Sequence, residues 1–471
     1  MTSAVVVGSG PNGLAAAVAL AQRGLSVTVL EAADTLGGGT RTQELTGPGV
    51  LHDVCSAIHP FGVASPYLSS LPLAEHGLVW RWPEVDLAHP LDDGTAGVLV
   101  RSIADTAAGL GPDGRRWRQL FGPLADGLDD LAPAVLGPLL RVPSRPLTLA
   151  RFGVRAGLPA SVLWRTLKTE QARGLLAGCA AHAMSRLDRP ASAAVGTMLI
   201  AAGHRHGWPV AEGGSRAITD ALASLLRSLG GTIETGVTVR SLADLPPAEV
   251  TLFDTSPSGF ARIAGDRQPT RRRRAYQRYR HGPAAYKVDL AVQGGVPWTN
   301  AAARKAGSLH LGGTAAEIAH VEAQVCAGRM PERPFVLVGQ QYLADPTRSA
   351  GDVHPVWAYA HVPNGYTGDA TEAVLSQIER FAPGFRDRVV GMHVMSPAAF
   401  TEHNANYVGG DVVGGDNGLR QLVRRPVLSP NPYATGVPGM YLCSASTPPG
   451  AGVHGMCGWH AAQQALRDLG T

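Results

Sequence analysis

The stretch Ala4-Val5-Val6-Val7-Gly8-Ser9-Gly10-Pro11-Asn12-Gly13 joins a β-branched apolar run to three glycines spaced GxGxxG. The uninterrupted apolar run predicts a strand buried on both faces, as in a parallel sheet. Leu14 to Arg23 then carries apolar residues at helical spacing, and Gly24 closes the helix. Val27 to Leu30 predicts a second strand, with Glu31 at its end. Each residue type has a physical reason in this βαβ unit. Gly8 permits the tight turn, Gly10 removes a Cβ that would keep a diphosphate from the backbone, and Gly13 lets the helix lie close on the strand. The N–H groups and dipole of the helix start, around Pro11 and Asn12, attract that diphosphate. Glu31 stands 23 residues after Gly8, where an acid accepts from ribose hydroxyls and disfavours a 2′-phosphate.

Two further blocks extend this reading. Gly37-Gly38-Gly39-Thr40-Arg41-Thr42 supplies a second close backbone approach and an arginine able to pair with phosphate. The segment Gly439 to His460 reads as a strand (Met440 to Cys443), a glycine- and proline-rich turn (Thr447 to Gly452) and a helix from about Val453 to Leu469. A strand, a tight turn and a helix start form another dipole site.

Gly38, Gly39 and Arg41 resemble the extended FAD signature of flavoproteins related to amine oxidases and phytoene desaturases. The 439–460 block resembles the C-terminal flavin motif of the phytoene-desaturase-like family. That family includes carotenoid desaturases, carotene isomerases, retinol saturase-like proteins and a pyridine-nucleotide-disulphide-oxidoreductase-domain-containing branch, which this chain resembles most. Three more blocks agree: His52-Asp53 through His59-Pro60, Trp208 through Ser215, and Asn406 through Asp411. The resemblance spans residues 5 to 465, and Ser444-Ala445 departs from the glycine or acid found there in many relatives.

It implies an α/β architecture: a discontinuous Rossmann-type FAD-binding domain (1–70, 205–262 and 435–471) and an α+β substrate or cap domain (71–204 and 263–434). It implies FAD as cofactor, held at Gly8, Gly10, Pro11, Asn12, Gly13, Glu31, Gly38, Gly39, Arg41, Ser444, Gly452, Val453 and His454, with Val237 or Val239 meeting the adenine. Between these ends, Ala217 to Leu229 predicts a helix opened by Gly213-Gly214-Ser215. Thr232 to Val239 and Val250 to Phe253 predict strands.

Composition bounds the function. Charged residues are 17% of 471, below the usual ~25%, while Gly 58 and Pro 35 are in excess, which argues against a helical bundle. The net charge of +4 is too small to argue for nucleic acid. Arg271 to Arg274 reads as a solvated helix face. Only Lys168, Lys287 and Lys305 are lysines, a bias expected of a high-GC, actinobacterial genome. Five scattered cysteines without a CxxC exclude a disulfide framework and a zinc site, so no metal is expected. No apolar stretch of ~18 residues predicts a membrane span, and the start lacks a signal peptide, so a cytoplasmic enzyme is expected. Leu131 to Leu167 is apolar and punctuated by Arg141, Arg145, Arg151, Arg155 and Arg165, with no acid. It suits either an interfacial helix on an anionic membrane or a cap helix with snorkelling arginines.

Hydride abstraction from carbon requires the flavin and a held substrate, with a base only if a proton also leaves. His454, at the expected helix start, His59 and Tyr407 are the candidate catalytic residues, each also readable as structural. Asn406 could face the substrate, and Trp459 and His460 read as core. No second GxGxxG follows a strand, so oxygen, a quinone or the substrate itself would take the electrons. The expected partner is a small-molecule substrate that is long and largely apolar, a polyene, isoprenoid or polyketide-like chain, undergoing C–C desaturation. Three alternatives stay open: a flavin-dependent isomerase or cyclase without net redox change; an amine oxidase, which needs an aromatic pair and usually a lysine by the flavin; and a non-catalytic lipid-binding escort.

Overall fold

The protein, a computed structural model, is described over residues 2–138 and 146–470. Its two large sheets use strands β1 (Ser3–Val7), β2 (Ser26–Leu30), β3 (Val85–Pro90), β4 (Ala96–Leu99), β5 (Thr232–Glu234), β6 (Val250–Phe253), β7 (Ala284–Gln293), β8 (Ala306–Leu311), β9 (Val336–Gly339), β10 (Val353–Val362), β11 (Val389–Met395) and β12 (Met440–Leu442). The first sheet, in the order β12-β6-β1-β2-β5, is parallel throughout. The second, in the order β11-β7-β10-β9-β8-β3-β4, is antiparallel except between β8 and β3. The architecture is therefore α/β, a Rossmann-like parallel sheet beside a separate, mostly antiparallel one.

The parallel sheet draws its strands from both ends and the middle of the chain. Val5, Val6, Leu252, Phe253 and Leu442 are all almost fully buried, as the uninterrupted apolar runs require. Helix α1 (Pro11–Ala21) is buried from Asn12 to Ala21. It lies between the helices Arg216–Ser228 and Met456–Leu469. Close packing there depends on Gly458, where a Cβ would collide with the carbonyl oxygen of Asn12. That contact brings the C-terminal helix onto the helix of the glycine turn.

Two expected elements are shorter than the sequence pattern suggested. The strand expected over 232–239 ends at Glu234, because Gly236 adopts a φ of +72° and its N–H donates to Ala33 O at 3.0 Å. Val237 and Val239 therefore sit in a loop that wraps over the end of β2. The C-terminal helix begins at Met456 rather than Val453, because Gly452 and Gly455 at φ +133° and +66° keep the chain out of helical geometry.

In the 131–167 stretch, Arg141 and Arg145 lie outside the described residues. The helix Pro146–Ala156 buries Phe152 and Ala156 against a core containing Leu128, Leu131 and Met198. It leaves Leu147 and Val154 exposed at 77% and 72%. Arg155 turns back to donate to the carbonyls of Arg151 and Gln119. Arg271 to Arg274 are exposed or half-buried on the helix Thr270–Gln277. Among the described residues no helix is long and apolar enough to cross a membrane.

Candidate active site

A cavity of about 960 Å³ runs from the β1–α1 turn to the inner face of the antiparallel sheet. At its first end the glycines of the turn earn their place sterically. Gly8 has a φ of +104°, and a Cβ on Gly13 would collide with Gly8 O. A Cβ on Gly10 would lie 2.6 Å from Asp254 Oδ2. Gly38 and Gly39 form the next wall; a Cβ on Gly38 would lie 3.1 Å from Gly10 Cα, and one on Gly39 would strike the Tyr407 hydroxyl. Pro11, Asn12, Glu31, Arg41, Val237, Val239, Ser444, Gly452 and Val453 line the same cavity.

Several of these side chains differ in detail from expectation. Glu31 already accepts on both oxygens: Oε2 from Ser9 N and Oγ at 2.9 and 2.6 Å, Oε1 from Ala33 N at 2.9 Å and Arg41 Nη2 at 3.3 Å. Arg41 also donates to Thr35 O at 2.9 Å, so its guanidinium is braced against Glu31 and the Thr35 backbone. Asp254, at the end of β6, accepts the Gly13 N–H at 3.0 Å. Burial pushes its carboxyl up to about 7. The sequence marks this acid only as the residue that follows the strand Val250 to Phe253.

The three candidate catalytic residues part company. His59 lines the cavity; its Nε2 shares a hydrogen bond with Ser215 Oγ at 2.8 Å, and Nδ1 is buried without a partner. Burial lowers its pKa to about 4, so it stands there as a neutral imidazole. Tyr407 lines the cavity beside Gly39 and Cys55, and burial, followed by Cys55, holds its phenol well above the ordinary range. His454 is not on the cavity wall. Its Nδ1 accepts the Met456 N–H at 3.0 Å and caps the C-terminal helix, because the glycines on either side turn the chain inward at that point. Asn406 faces the strand end: its Oδ1 accepts from Ser256 N at 2.7 Å and its Nδ2 donates to Asp254 O at 3.3 Å. Trp459 and His460 pack in the core, with His460 Nε2 and Leu136 O 3.0 Å apart.

The far arm of the cavity comes from residues the sequence did not single out as site residues. Lys287 on β7 is 1% exposed and lies in the wall; its Nζ donates to Asp289 Oδ2 and sits 6.0 Å from the Trp357 ring centre. Lys287, first among the charges acting on Asp289, helps hold that carboxyl far below the carboxylate range against its burial. Trp357 and Tyr359 on β10 form an edge-to-face pair with centroids 4.9 Å apart. Phe61, Val195, Leu199, Trp208, Leu309 and Leu337 complete an apolar lining, and His182, Ser308 and His310 punctuate it. Lys287 stands out in the sequence only as one of three lysines, and nothing there marks His182 or His310 as cavity residues.

Behind the wall, Arg348 is fully buried. It pairs with Asp53, reaches Asp345 Oδ2 at 3.1 Å and donates to Ala211 O at 2.7 Å. Asp53 accepts from Ser215 N at 2.7 Å, which sets Ser215 beneath His59. The five cysteines are unpaired, and among the described residues no cluster of three or more metal-ligating side chains occurs.

The wall fits an elongated dinucleotide. The first end offers a cradle that Cβ atoms would fill. Asn12 Oδ1, Thr255 Oγ1, His403 Nε2 and His59 Nδ1 are buried on the wall without protein partners.

Comparison with known proteins agrees with that geometry. Residues 6–71 match the family model for an NAD(P)-binding Rossmann-like domain. Over 99% of this chain and 93% of the relative, the sequence is 27% identical to pyridine nucleotide-disulfide oxidoreductase domain-containing protein 2 of Rattus norvegicus. An oxidoreductase from Methanosarcina mazei superposes with a TM-score of 0.66 at 16% identity, covering 99% of this chain and 100% of that one. Putrescine oxidase bound to putrescine superposes at 0.62 with 17% identity, covering 99% and 98%. The chain thus carries a Rossmann-like dinucleotide-binding unit within a fold that it shares, over its whole length, with these oxidoreductases.

Proposed function

We propose that this protein is an FAD-dependent oxidoreductase that desaturates a C–C bond of a long, largely apolar chain of polyene, isoprenoid or polyketide type. The observation that carries the reading is the lining of the far arm: aliphatic and aromatic side chains with neutral imidazoles and one lysine, and no free carboxylate. The acids on the cavity wall are Glu31 and Asp254 at the glycine turn and the exposed Glu402. A substrate ammonium in that arm would be buried beside the Lys287 ammonium without an anion of its own, a cost of several kcal/mol. An apolar chain is instead held by area, at roughly 25 cal/mol per Å².

FAD, when bound, supplies the two-electron acceptor for a hydride leaving carbon. Gly8, Gly10 and Gly13 admit its diphosphate, and Glu31 with Arg41 shapes the ribose end. Gly38, Gly39, Gly452 and Val453 let backbone approach the rest of the cofactor. His59, a neutral imidazole beside the apolar arm, could take the proton that leaves with the hydride, while Tyr407, a protonated phenol, could only donate a hydrogen bond. Trp208, Leu309 and Leu337 exclude water from the arm. With one dinucleotide turn in the chain, oxygen or a quinone serves as the electron acceptor. Exposed Leu147 and Val154 support peripheral contact with a membrane that delivers such chains. Co-sedimentation with anionic vesicles, weakened in Leu147→Glu/Val154→Glu, is expected.

A second reading, amine oxidation, is favoured by Lys287 and the Trp357–Tyr359 pair in the wall, features that an amine oxidase would use. One experiment separates the two. The purified protein should be yellow and release FAD on denaturing precipitation. Under anaerobic conditions its flavin band should bleach with polyenes or isoprenoid alcohols, with new double bonds in the product, and not with NADH or NADPH. Fast bleaching by primary amines, with peroxide on readmitting air, would establish the second reading instead.

A further inference from the structure

The apolar arm contains one built polar feature that the desaturation reading leaves unused. His182 follows the helix Glu170–Ala181, and His310 lies on β8. Their Nε2 atoms share a hydrogen bond at 2.8 Å, with ring centres 4.9 Å apart. Both rings line the cavity. His310 is fully buried and its Nδ1 has no partner. The pair is fitted into place: a Cβ at position 178 would collide with His310 Nδ1, so only Gly178 lets the helix close over the ring. Trp208 packs edge-on to His182, with centroids 5.8 Å apart, and Phe335 lies 5.6 Å from His310.

The chemistry of the pair is restrictive. One Nε2 must donate and the other accept, so at least one imidazole is neutral; burial lowers both pKa values, His182 to about 3. The buried acid of this region, Glu322, is taken by His361 Nδ1 at 2.7 Å and gives the pair no counter-ion. A neutral pair offers a carboxylate or an ammonium nothing to balance its charge. It does offer an uncharged oxygen a hydrogen bond. His310 occupies His182 Nε2, which leaves His182 Nδ1 for a ligand. When His310 Nε2 is the donor, His182 carries its proton on Nδ1 and that nitrogen donates; when His182 Nε2 is the donor, His182 Nδ1 accepts and His310 carries its own proton on Nδ1. It can therefore serve a carbonyl or a hydroxyl.

We propose that His182 and His310 form a recognition subsite for a neutral hydroxyl or carbonyl oxygen on the otherwise apolar substrate. The proposal rests on the apolar-chain reading above and narrows it from a hydrocarbon to a chain bearing one uncharged oxygen. His182 is the group that touches substrate, and His310 positions it and sets its tautomer.

The test is equilibrium binding to the FAD-loaded protein, by calorimetry, of four chains of equal length: tetradecane, tetradecan-1-ol, tetradecanoate and tetradecylamine. The alcohol should bind about 5- to 10-fold more tightly than the alkane, the gain of one neutral hydrogen bond. His182→Phe should abolish that preference while leaving alkane affinity within about 2-fold. His310→Leu should reduce it, and a folded holoprotein is verified in each variant by its flavin spectrum. Equal affinity for alcohol and alkane in the parent protein would overturn the subsite even if neither variant folds. So would tighter binding of the carboxylate or the amine, or a preference that survives in folded His182→Phe. If no chain binds at all, the apolar-chain reading itself fails and the subsite fails with it; alkane binding without an alcohol preference removes the subsite alone.

Discussion

Asp254 and Glu31 are two buried acids at one glycine turn, with opposite surroundings. Glu31 is saturated by four donors, while Asp254 receives the Gly13 N–H and little else. Burial raises the Asp254 pKa from its ordinary 3.8 to about 7. Between those values the folded protein holds a proton that the unfolded chain has lost. Stability therefore falls as pH rises across that window, by at most about 1.4 kcal/mol per pH unit. Asp254→Asn keeps an acceptor for Gly13 and removes the titration. In denaturant unfolding of the apoprotein, the variant should lose the slope between about pH 4 and 7 and be more stable than the parent at pH 8. Glu31→Ala should weaken FAD binding by about 1–3 kcal/mol in a titration, since it removes charge-assisted bonds and frees Ser9 and Arg41 from their shared anchor. Unchanged affinity would exclude Glu31 from the cofactor site.

At the scale of elements, the helix Met456–Leu469 meets α1 through a glycine rather than through interdigitating side chains. Gly458→Ala forces a methyl into the Asn12 carbonyl, and neither backbone can yield without moving the turn that α1 begins. Overpacking of this kind costs about 1–3 kcal/mol. The variant should show that loss in unfolding and a parallel loss of FAD affinity, because the displaced residue, Asn12, lines the cavity. A stability loss with normal FAD affinity would mean the turn does not depend on this contact. Elements also account for the two misjudged boundaries. Alternation over 232–239 continued through Gly236, but a left-handed glycine ended the ladder. The apolar run beginning at Val453 resembled a helix start, yet Gly455 delays it, and His454 becomes a cap.

Across the whole molecule, the buried Arg348 ties together segments far apart in the chain: Asp53 before the His59 loop, Ala211 before the long helix, and its own loop through Asp345. Arg348→Leu leaves Asp53 and Asp345 buried with no cation. A loss of about 3–5 kcal/mol is expected in chemical unfolding. FAD binding should act at the same scale. The cavity wall combines residues from both ends and the middle of the chain, so a dinucleotide held there would cross-link the fold. At 100 times its Kd it should add about 2.7 kcal/mol, and removing it should lower Tm reversibly. A Tm independent of FAD would show that the flavin does not bind this cavity.

The sequence by itself determined the βαβ unit and the glycine turn with its acid at the end of β2. Both rest on local rules: glycine spacing, β-branched runs and helical periodicity act within some thirty residues. That strands from the middle and the far end of the chain join the same parallel sheet was implied only by the family resemblance. Only the tertiary structure decided what faces the cavity. Lysine scarcity reads in the sequence as genome bias, yet one of the three lysines stands in the wall beside Trp357, because β7 and β10 are neighbours in the sheet. His182 and His310 meet although 128 residues separate them. Arg348 finds Asp53 across 295 residues. No periodicity encodes such pairs. They arise when sheets and helices pack, and burial then sets the charge and proton state of each group.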